Sequence, residues 1–121
     1  MIFERILILG CGLIGSSLAA SARQCGLAKE IVGVDNKHEL MREKNPFFDE
    51  ISGSLKSFEE ADLCIIAIPI EGVPAVVKEL ADNQGQSNYD LITDVASNKR
   101  PLIKVAEIKG CEETYFILYY Y

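Results

Sequence analysis

The sequence is poor in the residues that build metal centres and disulfide frameworks. Among its 121 residues there is one histidine, His38, and the four cysteines show no C-x-x-C spacing. No cluster of Cys, His and Asp with zinc-ligand spacing surrounds His38, so we expect no metal. Cys25 and Cys64 fall in apolar patterns, where free cysteine is a common core residue, and this favours a reducing compartment.

Positive charge and long apolar runs are also scarce. The 12 Lys and Arg residues are outnumbered by 18 Asp and Glu, for a formal net charge of −6. Because an acidic surface repels phosphates, we expect neither nucleic acid nor an anionic membrane as a partner. No apolar run approaches the roughly 20 residues that a membrane-spanning helix needs. Residues 1–4 lead directly into a predicted strand, so we expect no signal peptide and a cytoplasmic protein.

What the sequence does contain is typical of one folded domain. Hydrophobic residues make up 49% and charged residues 25% of the chain, which is ordinary for a globular protein. A chain of this length can bury a core. Since there are no repeats, low-complexity tracts or linkers, we expect residues 1–121 to form a single domain.

The most informative stretch lies in the first third of the chain. Arg5–Leu9 is a nearly continuous apolar run, typical of a strand buried on both faces of a parallel sheet. It passes directly into a G-x-G-x-x-G element, Gly10–Gly15, where a helical pattern begins that ends at Gly26. A second apolar run, residues 31–34, ends at Asp35. The expected buried face of the helix consists of Ile14, Leu18, Ala22 and Cys25.

These features together predict a dinucleotide-binding unit. Gly10 permits a tight turn, Gly12 leaves the backbone open to a pyrophosphate, and Gly15 lets the helix pack on the strand. The helix N-terminus offers unpaired N–H groups to the phosphates. Asp35 lies twenty positions after Gly15, where a carboxylate can accept hydrogen bonds from an adenosine ribose. A glycine-rich turn that binds nothing is disfavoured, because strand, loop, helix, strand and acid occur in register.

The remaining sequence alternates strand and helix patterns. Ser57–Glu60 matches a capping box and predicts one turn of helix. Further strands are expected at 51–55, 63–68, 91–95 and 115–119, and helices at 36–44, around 73–80 and after Pro101. This alternation predicts an α/β fold, a Rossmann-type doubly wound parallel sheet of about six strands in the order 3-2-1-4-5-6.

That strand order also predicts where a ligand binds. Ligands of such sheets gather at the carboxyl ends of strands one and four, where the order reverses. Segment 67–69 ends the fourth strand and is expected beside the cofactor. The predicted cofactor-binding residues are Gly10, Cys11, Gly12, Leu13, Ile14, Gly15, Asp35, Ala67, Ile68 and Pro69.

A second polar segment follows the fifth strand, and Ser97 within it is expected to face the same crevice. Lys99 and Arg100 begin the next predicted helix, where the helix dipole disfavours cations by roughly 0.3–1 kcal/mol. An anionic ligand would offset that penalty. Spacing alone is equally compatible with Ser97 or Asn98 acting only as a helix cap.

Taken together, four segments resemble the nucleotide-binding half of prephenate and arogenate dehydrogenases. They are 8–18, 34–35, 67–69 and 93–99, and the resemblance covers nearly the whole chain. The forms Gly-Leu-Ile-Gly-x-Ser-Leu and Thr-Asp-Val-x-Ser-x-Lys are particular to this family. The resemblance implies NAD-dependent oxidative decarboxylation of prephenate to 4-hydroxyphenylpyruvate, or of arogenate, in tyrosine biosynthesis. It also implies a small anionic substrate, whose hydroxyl Ser97 helps to bind as the catalytic residue.

An NAD preference follows from Asp35, because a carboxylate there repels the 2′-phosphate of NADP. Lys37 and His38 lie close enough to weaken that preference. The family also has a catalytic histidine in a His-Pro motif after the last strand, where this chain reads Tyr119–Tyr121. A helical second domain, through which the family forms homodimers, is not in this sequence either. We therefore expect the chain alone to be inactive or nearly so.

Two other functions are compatible with these motifs. Gly-Leu-Ile-Gly followed by Ala-Ile-Pro also occurs in imine reductases and β-hydroxyacid dehydrogenases, although Ser97–Lys99 resembles the prephenate group more closely. The other alternative is a stand-alone NAD-binding or regulatory module without catalysis.

Overall fold

The computed structural model describes residues 2–82, 88–95 and 115–117. Six parallel strands in this part of the chain form one sheet in the order β3-β2-β1-β4-β5-β6, which confirms the predicted fold and strand order. The strands are β1 (Phe3–Leu9), β2 (Ala28–Val34), β3 (Glu50–Ser52), β4 (Glu60–Ile66), β5 (Asn88–Asp94) and β6 (Tyr115–Ile117). The described helices are α1 (Leu13–Gln24), α2 (His38–Lys44) and α3 (Val73–Asp82), with 3-10 turns at Leu55–Ser57 and Ile70–Gly72.

The central strand β1 supplies side chains to two cores, one on each face of the sheet. Successive side chains of a strand point to opposite faces, so Leu7 and Leu9 pack into one cluster and Ile6 and Ile8 into the other. The first cluster includes three residues of α3, namely Val73, Val77 and Leu80. The second includes Ala19 and Ala22 of α1. Burial on both faces explains why β1 reads as a continuous apolar run.

Helix α1 buries only part of the expected face: Ala22 is buried and Leu18 packs against the core, as predicted. Its buried residues are Gly15, Ala19 and Ala22, whereas Ile14 is 55% exposed and Cys25 is exposed. The prediction followed the larger apolar residues and was wrong for those two positions. The smaller side chains face the sheet because they let the helix lie close to it.

The predicted end of α1 at Gly26 is confirmed. The N–H of Gly26 donates to the carbonyl oxygen of Arg23 at 3.2 Å, and the N–H of Leu27 donates to that of Ala22 at 3.0 Å. These two bonds form a Schellman motif, which satisfies the last carbonyls of the helix.

The predicted helical turn at Ser57–Glu60 is wrong. The 3-10 turn comes earlier, and its cap is Ser54, whose Oγ accepts a hydrogen bond from the N–H of Lys56 at 3.2 Å. Glu60 instead begins β4. Phe58 and Ala61 are 2% and 6% exposed, so burial of apolar side chains outweighs the local capping pattern. The helix predicted after Pro101 lies outside the described residues.

The carboxyl edge of the sheet is held together beyond the strand ends by backbone hydrogen bonds. The N–H of Gly10 donates to Val34 O at 2.8 Å, and the N–H of Ala67 donates to Leu9 O at 2.7 Å. The N–H of Asp35 similarly donates to Ser52 O at 2.9 Å. The segments that leave β1, β2 and β4 are therefore fixed side by side at one edge. No helix within the described ranges is long and apolar enough to cross a membrane.

Two isoleucines provide a test of the double-sided core. Ile8 is 0% exposed and Ile2 is 73% exposed. We expect Ile8→Ala to lower the free energy of unfolding by about 2–5 kcal/mol, because it removes buried methyl groups and leaves a cavity. The same change at Ile2 should cost less than about 0.5 kcal/mol. Urea denaturation measures both, and equal effects would contradict the described position of β1.

Candidate functional site

The turn between β1 and α1 contains two glycines, Gly10 and Gly15, that no other residue could replace without displacing neighbours. Gly10 has φ +101°, and a Cβ there would lie 2.5 Å from the carbonyl oxygen of Ala67. A Cβ on Gly15 would lie 1.8 Å from the carbonyl oxygen of Gly10. Helix α1 therefore begins directly against the end of β1. At Gly12, by contrast, a Cβ would meet nothing within 4 Å, so this part of the backbone is open to a ligand.

Helix α1 begins with free capacity to bind an anion. Its N-cap is Gly12, which makes no side-chain capping bond, and its first turn contains no acidic residue. The first helical hydrogen bond runs from Ser16 N–H to Gly12 O at 2.9 Å. The preceding amides carry the partial positive charge of a helix N-terminus. Leu13 and Ile14 beside them are 86% and 55% exposed, so the approach from solvent is open.

Asp35 lies at the end of β2, facing this turn. Its Oδ2 accepts a hydrogen bond from the N–H of Cys11 at 2.8 Å, and its Oδ1 accepts one from the N–H of Lys37 at 2.8 Å. Both carboxylate oxygens are thus oriented by backbone amides. The carboxylate is neither buried nor turned away, because Asp35 and Gly10 line the same cleft.

The side chain of Cys11 points away from the cleft. It is 1% exposed and belongs to the core cluster on the α1 face. Burial, and secondarily the charge of Asp35, raises the pKa of the Cys11 thiol to about 12. A thiol in this state is a poor nucleophile. Among the predicted cofactor-binding residues, Cys11 can therefore offer a ligand its backbone but not its sulfur.

A cleft of about 610 Å³ opens at the carboxyl edge of the sheet. Four of the predicted residues line it, namely Gly10, Asp35, Ile68 and Pro69, and a fifth, Ala67, packs against the turn at Gly10. Sequence reasoning missed the opposite walls. They are formed by residues after β3 and by the start of α3: Gly53, Ser54, Leu55, Gly72, Ala75, Val76 and Glu79. Their position after the carboxyl ends of β3 and β4 was the signal that could have identified them.

The predicted substrate-binding residue Ser97 lies outside the described residues, as do Asn98, Lys99 and Arg100. The strand that leads to them is described up to Val95. Asp94 at its end is 1% exposed and pairs in register with Ile66 of β4. The chain thus leaves β5 at the edge that carries the cleft.

Other features of the described residues do not compete with this site. No group of three or more His, Cys, Asp or Glu in these ranges could hold a metal ion. His38 is half-buried at the start of α2, where it lies against Gly53. A second cavity, at the amino edge of the sheet, is lined mainly by charged residues, two of which, Arg5 and Glu30, form an ion pair.

The fold and the carboxyl-edge cleft define a Rossmann-type nucleotide-binding domain. Residues 18–118 match the family model described as prephenate dehydrogenase, nucleotide-binding domain, and the chain belongs to that family. Prephenate dehydrogenases of Lactococcus lactis subsp. cremoris and Bacillus subtilis are each 34% identical to it, over 104 and 107 residues. The aligned region is 85% and 86% of this chain but 29% of each relative, so the chain spans under a third of their length.

Solved structures show the same architecture. Prephenate dehydrogenase from A. aeolicus, solved in complex with hydroxyphenyl propionate and NAD+, superposes with a TM-score of 0.76 at 22% identity. The superposed region covers 95% of this chain and 40% of the A. aeolicus chain. Synechocystis arogenate dehydrogenase superposes with a TM-score of 0.69 at 26% identity, covering 88% and 38% of the two chains. This family membership agrees with the sequence resemblance. It favours the prephenate dehydrogenase family over the imine reductases and β-hydroxyacid dehydrogenases.

The different burial of Cys11 and Cys25 provides a test of the described conformation of the turn between β1 and α1. We expect iodoacetamide at pH 8 to modify Cys25, which is exposed, much faster than Cys11, which is buried with a pKa of about 12. Peptide mass spectrometry of the native protein measures both rates, and alkylation after unfolding in urea supplies the control. Equal rates at the two thiols in the native protein would show that Cys11 does not pack into the core.

Proposed function

We propose that this chain is the NAD-binding part of a prephenate or arogenate dehydrogenase. The observation that carries the proposal is that Gly10, the first residue of the glycine turn, and Asp35, whose carboxylate accepts a hydrogen bond from the next amide of that turn, line one cleft. A diphosphate bound at the start of α1 would accept hydrogen bonds from backbone amides there. The adjoining ribose would then reach Asp35, whose carboxylate oxygens are acceptors. The cleft is large enough for part of a dinucleotide.

The proposed preference is for NAD over NADP. Asp35 is fixed from two sides by the amides of Cys11 and Lys37, so its negative charge cannot easily move away from a 2′-phosphate. The negative charges of the Asp35 carboxylate and of a 2′-phosphate beside it would repel each other. The side chain of Lys37 is exposed, and its attraction for a phosphate is therefore weakened by solvent.

Bound NAD would supply the hydride acceptor for the reaction. In the proposed reaction, the ring carbon that bears the hydroxyl gives a hydride to NAD, the ring carboxylate leaves as carbon dioxide, and the electron pair of the broken C–C bond completes the aromatic ring of the phenol product. We assign Ser97 the role of binding the substrate hydroxyl, as the family resemblance implies. The whole activity, its cytoplasmic location and a homodimer are likewise proposed from the family. Residues beyond this chain would complete the catalytic site.

Titration calorimetry of the chain with NAD tests the proposed cofactor. We expect a dissociation constant in the micromolar range, roughly −8 kcal/mol, and weaker binding of NADP. Absence of heat with millimolar NAD, for a protein shown to be folded by circular dichroism, would exclude the proposal.

The contribution of Asp35 can be measured separately. We expect Asp35→Ala to weaken NAD binding roughly tenfold or more, because it removes a charged acceptor, and to narrow the preference over NADP. Asp90→Ala is the matched control, since Asp90 is an exposed aspartate on β5 outside the cleft. An unchanged ratio of NAD to NADP dissociation constants in Asp35→Ala would remove Asp35 from the assigned role.

A turnover assay tests whether this chain is a complete dehydrogenase or only its cofactor-binding part. With prephenate or arogenate and saturating NAD, we expect the 121-residue chain alone to form no NADH above background at 340 nm, because the family's catalytic histidine is not among its residues. A full-length prephenate dehydrogenase under the same conditions is the positive control. Turnover by this chain alone would contradict the proposed division of the site.

A further inference from the structure

One wall of the carboxyl-edge cleft is a single face of α3. Glu79 lines the cleft together with Ala75 and Val76, which lie four and three residues before it. Residues with this spacing share one side of a helix. The orientation of this wall is fixed, because the opposite face of α3 is buried in the core. The packing of the helix therefore places Glu79 on the side that faces the cleft.

The start of α3 lies beside the glycine turn. A Cβ on Gly10 would lie 2.8 Å from Cγ2 of Ile68, and a Cβ on Gly72 would lie 3.2 Å from Cδ1 of the same isoleucine. Ile68 thus lies between the turn and the residue that precedes α3. Glu79 comes six residues after Val73, the first residue of α3, and so lies roughly 9 Å further along the helix axis. The cleft therefore contains the glycine turn near the start of α3 and a carboxylate well beyond it.

Much of the cleft surface is apolar. Val34, Ile68 and Val76 line it, and all three are half-buried side chains that pack on the core cluster beneath. A flat, weakly polar ring would gain by lying against them, because the contact removes apolar surface from water. In a dinucleotide with its diphosphate at the turn and its ribose on Asp35, the base and the phosphate arm leave the sugar on opposite sides. The base therefore extends away from the turn into this apolar part of the cleft.

The polar groups that could meet the edge of that base are few. Among the described residues that line the cleft, three are charged: Asp35, Lys37 and Glu79. The proposed function assigns Asp35 to the ribose, and the ammonium group of Lys37 is a donor only. The hydroxyl of Ser54 already accepts a hydrogen bond from the N–H of Lys56 at 3.2 Å. Glu79 is therefore the charged acceptor that faces the base from the opposite wall.

We propose that Glu79 makes the site selective for adenine by accepting a hydrogen bond from the 6-amino group of the base. That amino group is a hydrogen-bond donor at the edge of adenine. An ionised carboxylate only accepts hydrogen bonds, so it favours a base with a donor at this position over one without. The inference rests on the proposed function, since it requires the adenosine half of NAD to lie in the cleft. It concerns the base, whereas the role proposed for Asp35 concerns the sugar and its 2′-phosphate.

A purely electrostatic effect of Glu79 would have a different signature. NAD carries a negatively charged diphosphate, which a carboxylate in the same cleft repels. Removal of the carboxylate would then strengthen the binding of every dinucleotide equally, whatever its base. A hydrogen bond to the base instead changes the affinity for NAD relative to an analogue that lacks the amino group. The ratio of the two dissociation constants therefore isolates the contact with the base.

Titration calorimetry with NAD and with nicotinamide purine dinucleotide, which has hydrogen in place of the 6-amino group, tests the inference. We expect the unmodified chain to bind the purine analogue roughly three- to tenfold more weakly than NAD, the equivalent of one hydrogen bond. Glu79→Ala should lose this preference, because it removes the acceptor. Glu79→Gln keeps an amide oxygen as a neutral acceptor and should retain part of the preference.

Glu59→Ala is the matched control. Glu59 is an exposed glutamate directly before β4, at the amino edge of the sheet, and it does not line the cleft. The variant removes the same charge from the chain and should leave the preference for NAD over the purine analogue unchanged. Because Glu59 and Glu79 are both exposed, we expect both variants to remain folded, as measured by circular dichroism.

The outcomes distinguish this inference from the proposed function. If the unmodified chain binds NAD and the purine analogue equally well, or if Glu79→Ala keeps the preference, the inference is wrong while the cofactor assignment stands. If Glu59→Ala loses the preference as Glu79→Ala does, the effect is not local to the cleft and the inference is wrong. If the unmodified chain binds neither dinucleotide, the proposed function fails and the inference fails with it.

Discussion

The hydrogen bond between the Cys11 amide and the Asp35 carboxylate is the interaction on which the site depends. It joins the segments that follow two neighbouring strands, β1 and β2, at residues 24 apart in sequence and at a distance of 2.8 Å. On one side it orients the turn for which we propose phosphate binding, and on the other it orients the carboxylate that we propose as the acceptor for a sugar. Parallel strands make this possible, because β1 and β2 end at the same edge. The register of β1 and β2, together with this contact, therefore sets the distance between the glycine turn and the Asp35 carboxylate.

Close packing around the turn explains why its sequence is so restricted. Gly10 and Gly15 have no room for a side chain, since a Cβ would collide with backbone in both cases. Gly12 has ample room on the protein side, so its lack of a side chain matters only towards solvent. The fold thus accounts for the first and third glycines, whereas at the second the missing side chain would serve an approaching ligand under the proposed function. This division supports a binding turn rather than a purely structural one.

The order of the sheet and the edge that carries the site could be predicted from sequence because both depend on local patterns. β1 reads as a two-sided apolar run, and Gly26 ends α1 through its own neighbours. Hydrophobicity predicted the buried face of α1 only in part: Ala22 is buried and Leu18 packs against the core as expected, but the helix buries Ala19 and leaves Ile14 exposed. The capping pattern at Ser57 did not produce a helical turn, because burial of Phe58 outweighs it. The contact of Asn45 with Ser16 joins residues 29 apart, and no local pattern reports it. Ser97 lies outside the described residues, and its assignment rests on the family motif.

The most direct test of the nucleotide site is to locate the amides that respond to the cofactor. In ¹⁵N-labelled protein titrated with NAD, the amide resonances of Gly12, Leu13 and Lys37 should shift most, because they lie at the turn and beside Asp35. The amide resonances of Glu4 and Arg5, at the amino end of β1, should not shift. Shifts centred on the amino edge, or none at the glycine turn while NAD is bound, would contradict binding at the carboxyl edge of the sheet.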